Sequence, residues 1–422
     1  MVLSQLDSTS IKYHGGYADV ERGPGERSGR LSDRAQQPAK RVPQFQNVGN
    51  VRMLPAMKTM SDKTAPRLFL EEVPPADGLK GVLDTVPGFD HRLVEHHPRS
   101  YSRDGVRISK GDALDFYPKW DSPVAIIADG PYGVAGYPGD PPKPDGLGKW
   151  YEPHIAEWSK RSTPLTTLWF WNTEVGWANV HPVLTQYGWE YRGASIWDKG
   201  VAHIAGNVNT ASIRRVPAVT EVCVQYTREA RFGVDGRDVS MKEWLRHEWQ
   251  RSGLPLQKTN EACGVINAAT RKHFTQCHLW YFPPAEAFTQ FVESANKHGN
   301  PRGRPYFSID GKRSVTGKEW ERMRSKFRCE HGVTNVWREP AVRGIERVKN
   351  GMKALHSNQK PLSLVELTVR MTTDPGDLVW EPFGGLCTAA AASHHLGRRC
   401  EAAEINPEFY ALAISRSARY YR

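Results

Sequence analysis

Residues 377–405 of the 422-residue chain read DLVWEPFGGLCTAAAASHHLGRRCEAAEI. The first five of these residues are mostly apolar and predict a strand, and the small residues within 387–396 predict a helix. Residues 399–405 predict a second strand, and Pro407 opens another helix at its first turn, where proline is tolerated. Strand, helix, strand and helix in this order form the elementary unit of a doubly wound α/β sheet, so this stretch decides the fold class.

The first half of the chain extends the same pattern. Residues 124–128 are apolar on both faces, which is typical of a buried parallel strand. Further strands are predicted at 106–108, 165–171, 191–197 and 219–226, and a further helix at 362–371. The functional loops of an α/β sheet lie outside the carboxyl ends of its strands. Asp129, which follows strand 124–128, is therefore a candidate functional residue.

The chain carries a net charge of +11, and most of it lies in one segment. Residues 231–350 contain 22 Lys/Arg and 13 Asp/Glu, which leaves +9 there. Such a local basic excess indicates a surface for a polyanion, and a solvated basic domain is an equally weighted alternative. The six cysteines include no CxxC pair, so reduced thiols are expected and no metal site is predicted.

Residues 1–66 are rich in Gly, Arg, Ser, Gln and Pro and contain few large apolar residues. This composition predicts a disordered basic tail, because such a segment cannot bury enough apolar surface to fold. The sequence shows no apolar N-terminal signal segment and no run long enough to span a membrane. We therefore expect a cytoplasmic protein without a membrane partner.

The tetrapeptide Asp129-Gly130-Pro131-Tyr132 suits one kind of chemistry. The carboxylate of Asp129 and the carbonyl of Gly130 can accept the two hydrogens of an aromatic amino group, which localises the lone pair on its nitrogen. Tyr132 can stack on a flat base. An ordinary turn after a strand is the alternative interpretation, so a second motif has to support the first.

That second motif is the stretch from Glu381 to Thr388, EPFGGLCT. In this order the two segments resemble the amino-methyltransferases of DNA, in the permuted class whose catalytic motif precedes the cofactor motif. The family's usual form of the first motif is Asp-Pro-Pro-Tyr, or often Ser-Pro-Pro-Tyr in cytosine-N4 enzymes. Its usual form of the second motif is Asp-Pro-Phe-x-Gly-x-Gly-Thr. The chain departs from them at Gly130, Glu381 and Cys387. Glycine keeps the carbonyl but loses the rigidity of proline, and Cys387 adds a side chain at a close-packed turn, so that loop is expected to differ locally.

The resemblance implies an enzyme that moves the methyl group of S-adenosylmethionine to the exocyclic N6 of a flipped adenine in duplex DNA. Its catalytic residues are then Asp129, Gly130, Pro131 and Tyr132. The cofactor contacts that it implies are Asp112, Asn358, Lys360, Glu381, Phe383, Gly384, Gly385 and Glu404, the last of these on the ribose hydroxyls.

The motifs leave other functions open. The aspartate of the tetrapeptide favours adenine, and cytosine-N4 methylation is the nearest alternative. A non-catalytic DNA-binding protein on a decayed methyltransferase fold is a further alternative, given Gly130 and Cys387. A cytosine-C5 enzyme is disfavoured because it needs a Pro-Cys nucleophile, and the chain contains no Pro-Cys pair.

The resemblance also divides the chain. Residues 67–230 become the catalytic half and 346–422 the cofactor-binding half of a Rossmann-like doubly wound sheet, and 231–345 an inserted, mainly helical target-recognition domain. Within it, residues 240–243 have capping-box form, and residues 259–274 predict a helix-turn-helix-like pair. The DNA-contact candidates are Arg271, Lys272 and His273 on that pair, and Arg322 and Lys326 on a helix predicted at 316–327. A structural helical pair and a charged solvent face are the alternatives.

The resemblance finally names the partners to look for. Double-stranded DNA is the first of them. A homodimer and a cognate restriction endonuclease are the others, for a protein of bacterial, archaeal or phage origin.

Overall fold

The computed structural model describes residues 99–135, 140–204, 212–277, 279–301, 303–344, 346–350, 353–354, 356 and 358–420. The predicted tail at 1–66 lies outside the described residues. No α-helix within the described ranges has the length and apolar character needed to cross a membrane.

One large mixed sheet dominates the fold. Its strands are β1 Ser100–Arg103, β2 Val106–Lys110, β3 Ala125–Ala128, β4 Thr167–Asn172, β5 Glu190–Asp198, β6 Thr220–Thr227, β9 Val336–Arg338, β12 Leu378–Glu381 and β13 Arg399–Glu404. They are ordered β1-β2-β13-β12-β3-β4-β6-β5-β9, and the run from β2 to β4 is parallel throughout. Two antiparallel pairs stand apart from the sheet: β7 Arg231–Val234 with β8 Arg237–Ser240, and β10 Lys349–Asn350 with β11 Lys353–Ala354.

The α-helices lie on both faces of the sheet and in the segment between β6 and β9. Their bounds are α1 Leu147–Arg161, α2 Glu174–Gln186, α3 Met241–Arg251, α4 Thr259–Ala262, α5 Ala285–His298, α6 Gly317–Glu321, α7 Leu362–Thr372, α8 Thr388–His395 and α9 Pro407–Tyr420. Residues Ala125 and Ile127 of β3 pack in the core shared with α7, α8 and α9. Ile126 and Ala128 pack in the core shared with α1 and α2. This arrangement explains why the strand is apolar on both faces, and it confirms the predicted α/β, doubly wound fold class.

The segment after β6 forms a hydrophobic core of its own. Trp320 on α6 lies at its centre, stacked 4.5 Å from both Phe282 and Phe288. The capping box predicted before α3 is present, because the side chains and backbone N–H groups of Ser240 and Glu243 bond reciprocally. The predicted helix over this segment is therefore confirmed as α3.

The helix-turn-helix-like pair predicted at 259–274 does not form as two helices. Its first member is the single turn α4, and its second is a 3₁₀ segment, Thr270–Phe274. Gly264 and Asn267 both have left-handed backbone conformations, with φ of 62° and 58°, and these conformations interrupt a helix.

The helix predicted at 316–327 is also shorter, since α6 ends at Glu321. The chain beyond it reaches the end of α7, where the Arg328 N–H donates to the Met371 carbonyl at 2.8 Å. It then supplies β9, which pairs with β5 at the edge of the sheet. Residues 336–338 therefore belong to the sheet, ahead of the predicted end of the insertion at 345.

Candidate active site

A pocket of about 570 Å³ opens at the carboxyl ends of β2, β13, β12 and β3. This is the edge where α/β sheets bind ligands. The pocket is lined by every residue that the sequence assigned to catalysis or to the cofactor: Asp112, Asp129, Gly130, Pro131, Tyr132, Asn358, Lys360, Glu381, Phe383, Gly384, Gly385 and Glu404. Among the described residues, no three His, Cys, Asp or Glu side chains are placed to hold a metal ion.

The carboxylate of Asp129 is held through one of its two oxygens. The Tyr132 hydroxyl lies 3.0 Å from Oδ1, and the Lys360 ammonium lies 2.9 Å from the same atom. The side chain of Asp129 is 26% exposed, so the pocket reaches it. Because both close polar contacts go to Oδ1, the oxygen Oδ2 stays available as an acceptor.

Glu221, near the start of β6, belongs to the same site and was missed by sequence reasoning. Its Oε2 lies 2.9 Å from the Tyr132 hydroxyl and 3.2 Å from the Lys360 ammonium, and its Oε1 lies 2.5 Å from the Lys199 ammonium. The only available signal was a glutamate beside the apolar run of a predicted strand. Nothing local links it to Tyr132, because the two residues are 89 positions apart.

Burial and charge act against each other in this cluster. Burial raises the pKa of Asp129, and the Lys360 ammonium opposes that rise. Burial also acts to raise the pKa of Glu221, but the charges of Lys360 and Lys199 prevail and hold it at about 2. Burial disfavours the charge of Lys360, and the two carboxylates outweigh that effect and raise its pKa. The cluster is therefore a buried lysine ion-paired with two carboxylates.

The turn at Gly130 is fixed by side chains from two other elements. Tyr151 on α1 donates its hydroxyl hydrogen to the Pro131 carbonyl at 3.1 Å, and Asn172 at the end of β4 donates to the same carbonyl at 3.0 Å. A Cβ atom at Gly130 would lie 2.7 Å from the ring of Phe383. The turn therefore has no room for a side chain, and hydrogen bonds supply rigidity that glycine itself lacks.

The glycine-rich turn between β12 and α8 contains a left-handed cysteine. Cys387 has a φ of 52°, a region that costs a residue with a Cβ atom about 1–2 kcal/mol. Its N–H donates to the Gly384 carbonyl at 2.6 Å, and a Cβ at Gly384 would lie 2.8 Å from the Cys387 sulfur. The thiol thus packs over Gly384, and Cys387 itself adopts a backbone conformation that glycine adopts more easily.

The two acidic residues of the cofactor segment accept hydrogen bonds from the backbone. Glu381 accepts from two N–H groups in the first turn of α8, each at 2.8 Å. Glu404 accepts from Gly385 at 2.5 Å and from Asn406 at 2.7 Å. Burial raises the pKa of Glu381 to about 8 and that of Glu404 to about 7. Glu381 therefore supports the helix, while each oxygen of Glu404 keeps a second lone pair for a ligand.

An aromatic wall closes another side of the pocket. The rings of Trp150 and His154 are stacked 4.9 Å apart, and Phe383 lies 4.9 Å from His154. Burial lowers the pKa of His154 to about 4, so its ring is neutral at physiological pH. Asp112, at the end of β2, accepts from the Leu114 N–H at 2.9 Å and so caps the 3₁₀ turn that follows it. The flat rings of Trp150, Phe383 and the neutral His154 form a surface that suits an aromatic ring of a ligand.

The DNA-contact candidates of the 3₁₀ segment differ in exposure. Arg271 is exposed and Lys272 is half-buried. His273 is buried, with its Nδ1 2.9 Å from the Tyr281 carbonyl, and burial lowers its pKa. His273 therefore packs inside the hydrophobic core of this segment, which corrects its assignment as a DNA contact.

The two DNA-contact candidates after α6 also differ in exposure and in partners. Arg322 is exposed. Lys326 lies 2.8 Å from Asp374 and 2.6 Å from Asp377, two carboxylates in the loop ahead of β12. Lys326 thus joins this segment to that loop, and its partners in the structure are carboxylates of the protein itself, which disfavours a main role in DNA contact.

Known proteins show similarity to both halves of the sheet. Residues 124–415 match the model of an N6/N4 methyltransferase family described as DNA methylase. A segment of 83 residues is 34% identical to the DNA adenine methyltransferase YhdJ of Escherichia coli strain K12, covering 19% of this chain and 26% of that protein. A segment of 66 residues is 41% identical to the type II methyltransferase M.HinfI of Haemophilus influenzae, covering 15% and 18%. The chain thus matches only about a quarter or less of the length of these relatives.

Solved structures give a weak overall superposition. The M1.HpyAVI–SAM complex is 16% identical with a TM-score of 0.39, over 74% of this chain and 99% of that one. The DNA modification methylase TTHA0409 of Thermus thermophilus is 15% identical with a TM-score of 0.38, over 74% and 95%.

The family match extends from the residue before β3 into α9 and includes both sequence motifs. It covers more than half of the chain, and it confirms the resemblance drawn from those motifs. S-adenosylmethionine is the cofactor of this family, as the sequence predicted. The chain belongs to the N6/N4 family of DNA methylases.

Proposed function

We propose that this protein transfers a methyl group from S-adenosylmethionine to the exocyclic N6 of an adenine flipped out of duplex DNA. The observation that carries the proposal is the state of Asp129. Its Oδ1 is held by Lys360 and Tyr132, and its Oδ2 stays available at the wall of the pocket. A carboxylate fixed in this way is an acceptor for an amino group.

The residues of the pocket fit the cofactor. Gly384 and Gly385 bring bare backbone to the pocket wall, and a Cβ atom at Gly385 would lie 2.9 Å from His356 Nε2. Glu404, at the end of β13, has lone pairs for two ribose hydroxyls. When bound, S-adenosylmethionine supplies an electrophilic methyl group on its sulfonium.

The chain's own residues prepare the amino group. Asp129 Oδ2 and the Gly130 carbonyl accept its two hydrogens, and this localises the lone pair that aromatic conjugation otherwise withdraws. The base has to leave the duplex, because its amino group is otherwise buried in the stack. Tyr132 provides a ring whose orientation is fixed by its hydroxyl contacts. Displacement at the methyl group then depends mainly on alignment. The N6–CH₃ bond forms as the S–CH₃ bond breaks, a neutral thioether leaves, and N6 gives up one of its two hydrogens as a proton, for which Asp129 Oδ2 is the adjacent acceptor.

Cytosine-N4 methylation is the second candidate, since its amino group has the same chemistry. The aspartate of the tetrapeptide favours adenine, and the relative YhdJ is named a DNA adenine methyltransferase. The non-catalytic alternative has less support. The fold accommodates both unusual residues, Gly130 through the hydrogen bonds to Pro131 and the Cys387 thiol through its packing over Gly384.

Residues 231–345 are proposed to recognise the target in duplex DNA. Their charge excess, the exposed Arg271 and the exposed Arg322 support this role. A homodimer and a cognate restriction endonuclease stay predictions.

The experiment is expression in a methylation-deficient bacterial host, followed by mass spectrometry of hydrolysed DNA and long-read sequencing. We expect N6-methyladenine at one sequence motif, and none with the Asp129→Ala variant. N4-methylcytosine would move the assignment to the second candidate. An absence of both bases with a folded, cofactor-binding protein would support the non-catalytic alternative.

A further inference from the structure

Lys360 is buried in a compartment of opposite charges and aromatic rings. Its side chain is 3% exposed, and its ammonium lies 2.9 Å from Asp129 Oδ1 and 3.2 Å from Glu221 Oε2. It also lies 5.1, 5.6 and 5.9 Å from the ring centres of Tyr132, Trp171 and Trp197. These contacts are made on the catalytic side of the pocket, whereas the family resemblance implied a contact with the cofactor.

We propose that Lys360 and Glu221 are positioning residues. They hold the Asp129 carboxylate in the position from which it accepts a hydrogen of the target amino group. Lys360 occupies Oδ1 of Asp129, and Glu221 anchors both Lys360 and the Tyr132 hydroxyl. The inference rests on the proposed function and assigns to it two residues outside the catalytic tetrapeptide.

The location of Glu221 favours a functional role over a structural one. Its neighbours on β6 are the buried Val222, Cys223 and Val224. A buried ion pair is rarely a source of net stability, and well-packed apolar residues often replace one without loss. Lys360 and Asp129 line the pocket, and Glu221 contacts Lys360 and Tyr132 from behind that wall. This group is therefore better explained by what it does to Asp129.

The two residues act on Asp129 with opposite signs. The positive charge of Lys360 lowers the pKa of Asp129, and the negative charge of Glu221 raises it. Asp129 has to be ionised to accept the amino hydrogens, so activity is lost as the pH falls through its pKa. The part of the pH profile where activity falls towards low pH is its acidic limb. Removing Lys360 should move this limb to higher pH, and removing the charge of Glu221 should move it to lower pH.

Other ionisable groups interact with Asp129 from the surrounding elements. They are Tyr132 on its own loop, Tyr151 on α1, Cys223 on β6 and Glu381 at the end of β12, and Lys199 acts through Glu221. Burial raises the pKa of Tyr151, Cys223 and Glu381, and burial and the two carboxylates raise that of Tyr132. The Tyr132, Tyr151 and Cys223 groups are therefore neutral over the acidic range, and Glu381, with a pKa of about 8, is protonated there as well. The two charges with opposite effects are thus those of Lys360 and Glu221.

The test compares pH profiles of kcat for the purified full-length chain on unmethylated bacterial genomic DNA with tritiated S-adenosylmethionine. The midpoint of the acidic limb should move to higher pH by about one unit in Lys360→Met and to lower pH in Glu221→Gln. Lys360→Arg, which keeps the charge, should restore the position of the limb. Lys160→Met, an exposed lysine on α1 that pairs with Glu157, is the control and should leave the profile unchanged.

A second readout separates this role from cofactor binding. Calorimetry should give Kd values for S-adenosylmethionine within about twofold of the unchanged protein for both variants, an upper limit near 0.4 kcal/mol. The inference would be overturned if Lys360→Met and Glu221→Gln moved the acidic limb in the same direction. It would also be overturned if both lowered kcat without moving the limb. The same holds for a large loss of cofactor affinity in Lys360→Met without a shift.

Two further outcomes are kept apart by the design. If Lys360→Met does not fold, the other two variants test the inference. Glu221→Gln has to move the acidic limb to lower pH, and Lys360→Arg has to leave its position unchanged. If the unchanged protein methylates no DNA at any pH, the proposed function fails. A methylating protein whose Glu221→Gln limb stays in place retains the proposed function and loses this inference.

Discussion

The hydroxyl oxygen of Tyr151 lies 2.5 Å from the position that a Cβ atom at Gly130 would occupy. Proline, the usual residue at this position in the family, also carries a Cβ atom and would meet the same oxygen. Tyr151 uses that space to hydrogen-bond the next carbonyl, that of Pro131. The tyrosine and the glycine are therefore a matched pair, and each explains the other.

We predict that Gly130→Ala destabilises the protein by about 1–3 kcal/mol, the usual cost of overpacking a core. The added methyl group meets both the Tyr151 hydroxyl and the Phe383 ring. Urea unfolding measures the change. Tyr151→Phe in the same chain should recover part of the loss, since it removes the closer of the two contacts.

Gly193→Ala on β5 is the matched control for this substitution. A Cβ atom there meets nothing within 4 Å, so the change in unfolding free energy should stay within about 0.5 kcal/mol. Equal losses at the two glycines would show that the packing around Gly130 is not what makes it sensitive.

We predict that Asp129→Asn lowers kcat by at least about 10²-fold, a typical effect of losing one preorganised electrostatic contact. The amide still fills the space, but it lacks the charge that draws on the amino hydrogens. Tritium transfer to DNA measures the rate, and calorimetry should show nearly unchanged cofactor binding. Asp145→Asn, at an exposed position ahead of α1, is the control. Activity of Asp129→Asn within a few-fold of the unchanged protein would remove Asp129 from the catalytic step.

We predict that Glu404 makes cofactor binding depend on pH. Burial raises its pKa to about 7. Because the ionised form accepts the ribose hydroxyls, affinity should weaken as the pH falls below 7, approaching tenfold per pH unit. Calorimetry between pH 5.5 and 7.5 measures this below the ordinary pKa of the cofactor's own amino group.

Glu404→Gln should cost about 1.5–3 kcal/mol of cofactor binding and flatten that pH dependence. Glu401→Gln on the same strand is the control, since Glu401 pairs with Arg107 and does not line this pocket. A Glu404→Gln variant with unchanged affinity and an unchanged slope would place the ribose elsewhere.

The exposed arginines of the basic segment should make DNA binding dependent on salt. We predict that Arg271→Glu and Arg322→Glu each weaken binding and each reduce the slope of log Kd against log salt by about one, because each removes one neutralised phosphate. Fluorescence anisotropy with a labelled duplex measures both quantities. Lys160→Glu on α1 makes the same change in net charge outside the segment and should leave the slope unaltered. Equal effects at all three positions would mean that net charge alone attracts DNA.

Local sequence patterns predicted the α/β unit well. The strands expected at 377–381 and 399–405 are β12 and β13, and the helix expected at 387–396 is α8, each within about one residue. Apolar runs, helix caps and glycine turns are short-range signals, so a single stretch contains them in full. The same reasoning found α3 through the capping box at Ser240.

Contacts between distant elements could not be predicted in this way. The sequence placed Lys360 among the cofactor contacts, and it does line that pocket, but its contacts with Asp129 and Glu221 on other strands or loops could not be predicted. The helix-turn-helix prediction for 259–274 was wrong because Asn267, at the predicted start of the second helix, adopts a left-handed conformation, which asparagine tolerates better than most residues but does not require. Side-chain partners from elsewhere in the fold decide such cases, and no window of sequence contains both members.

The order of strands in the sheet has a consequence for biosynthesis. β3 pairs directly with β12, and about 250 residues of chain separate them. During translation, one edge of an apolar strand therefore stays without its neighbour for roughly 12–50 s at usual elongation rates. Exposed strand edges promote aggregation. The nascent chain should thus depend on chaperones, and its soluble yield should rise when they are co-expressed.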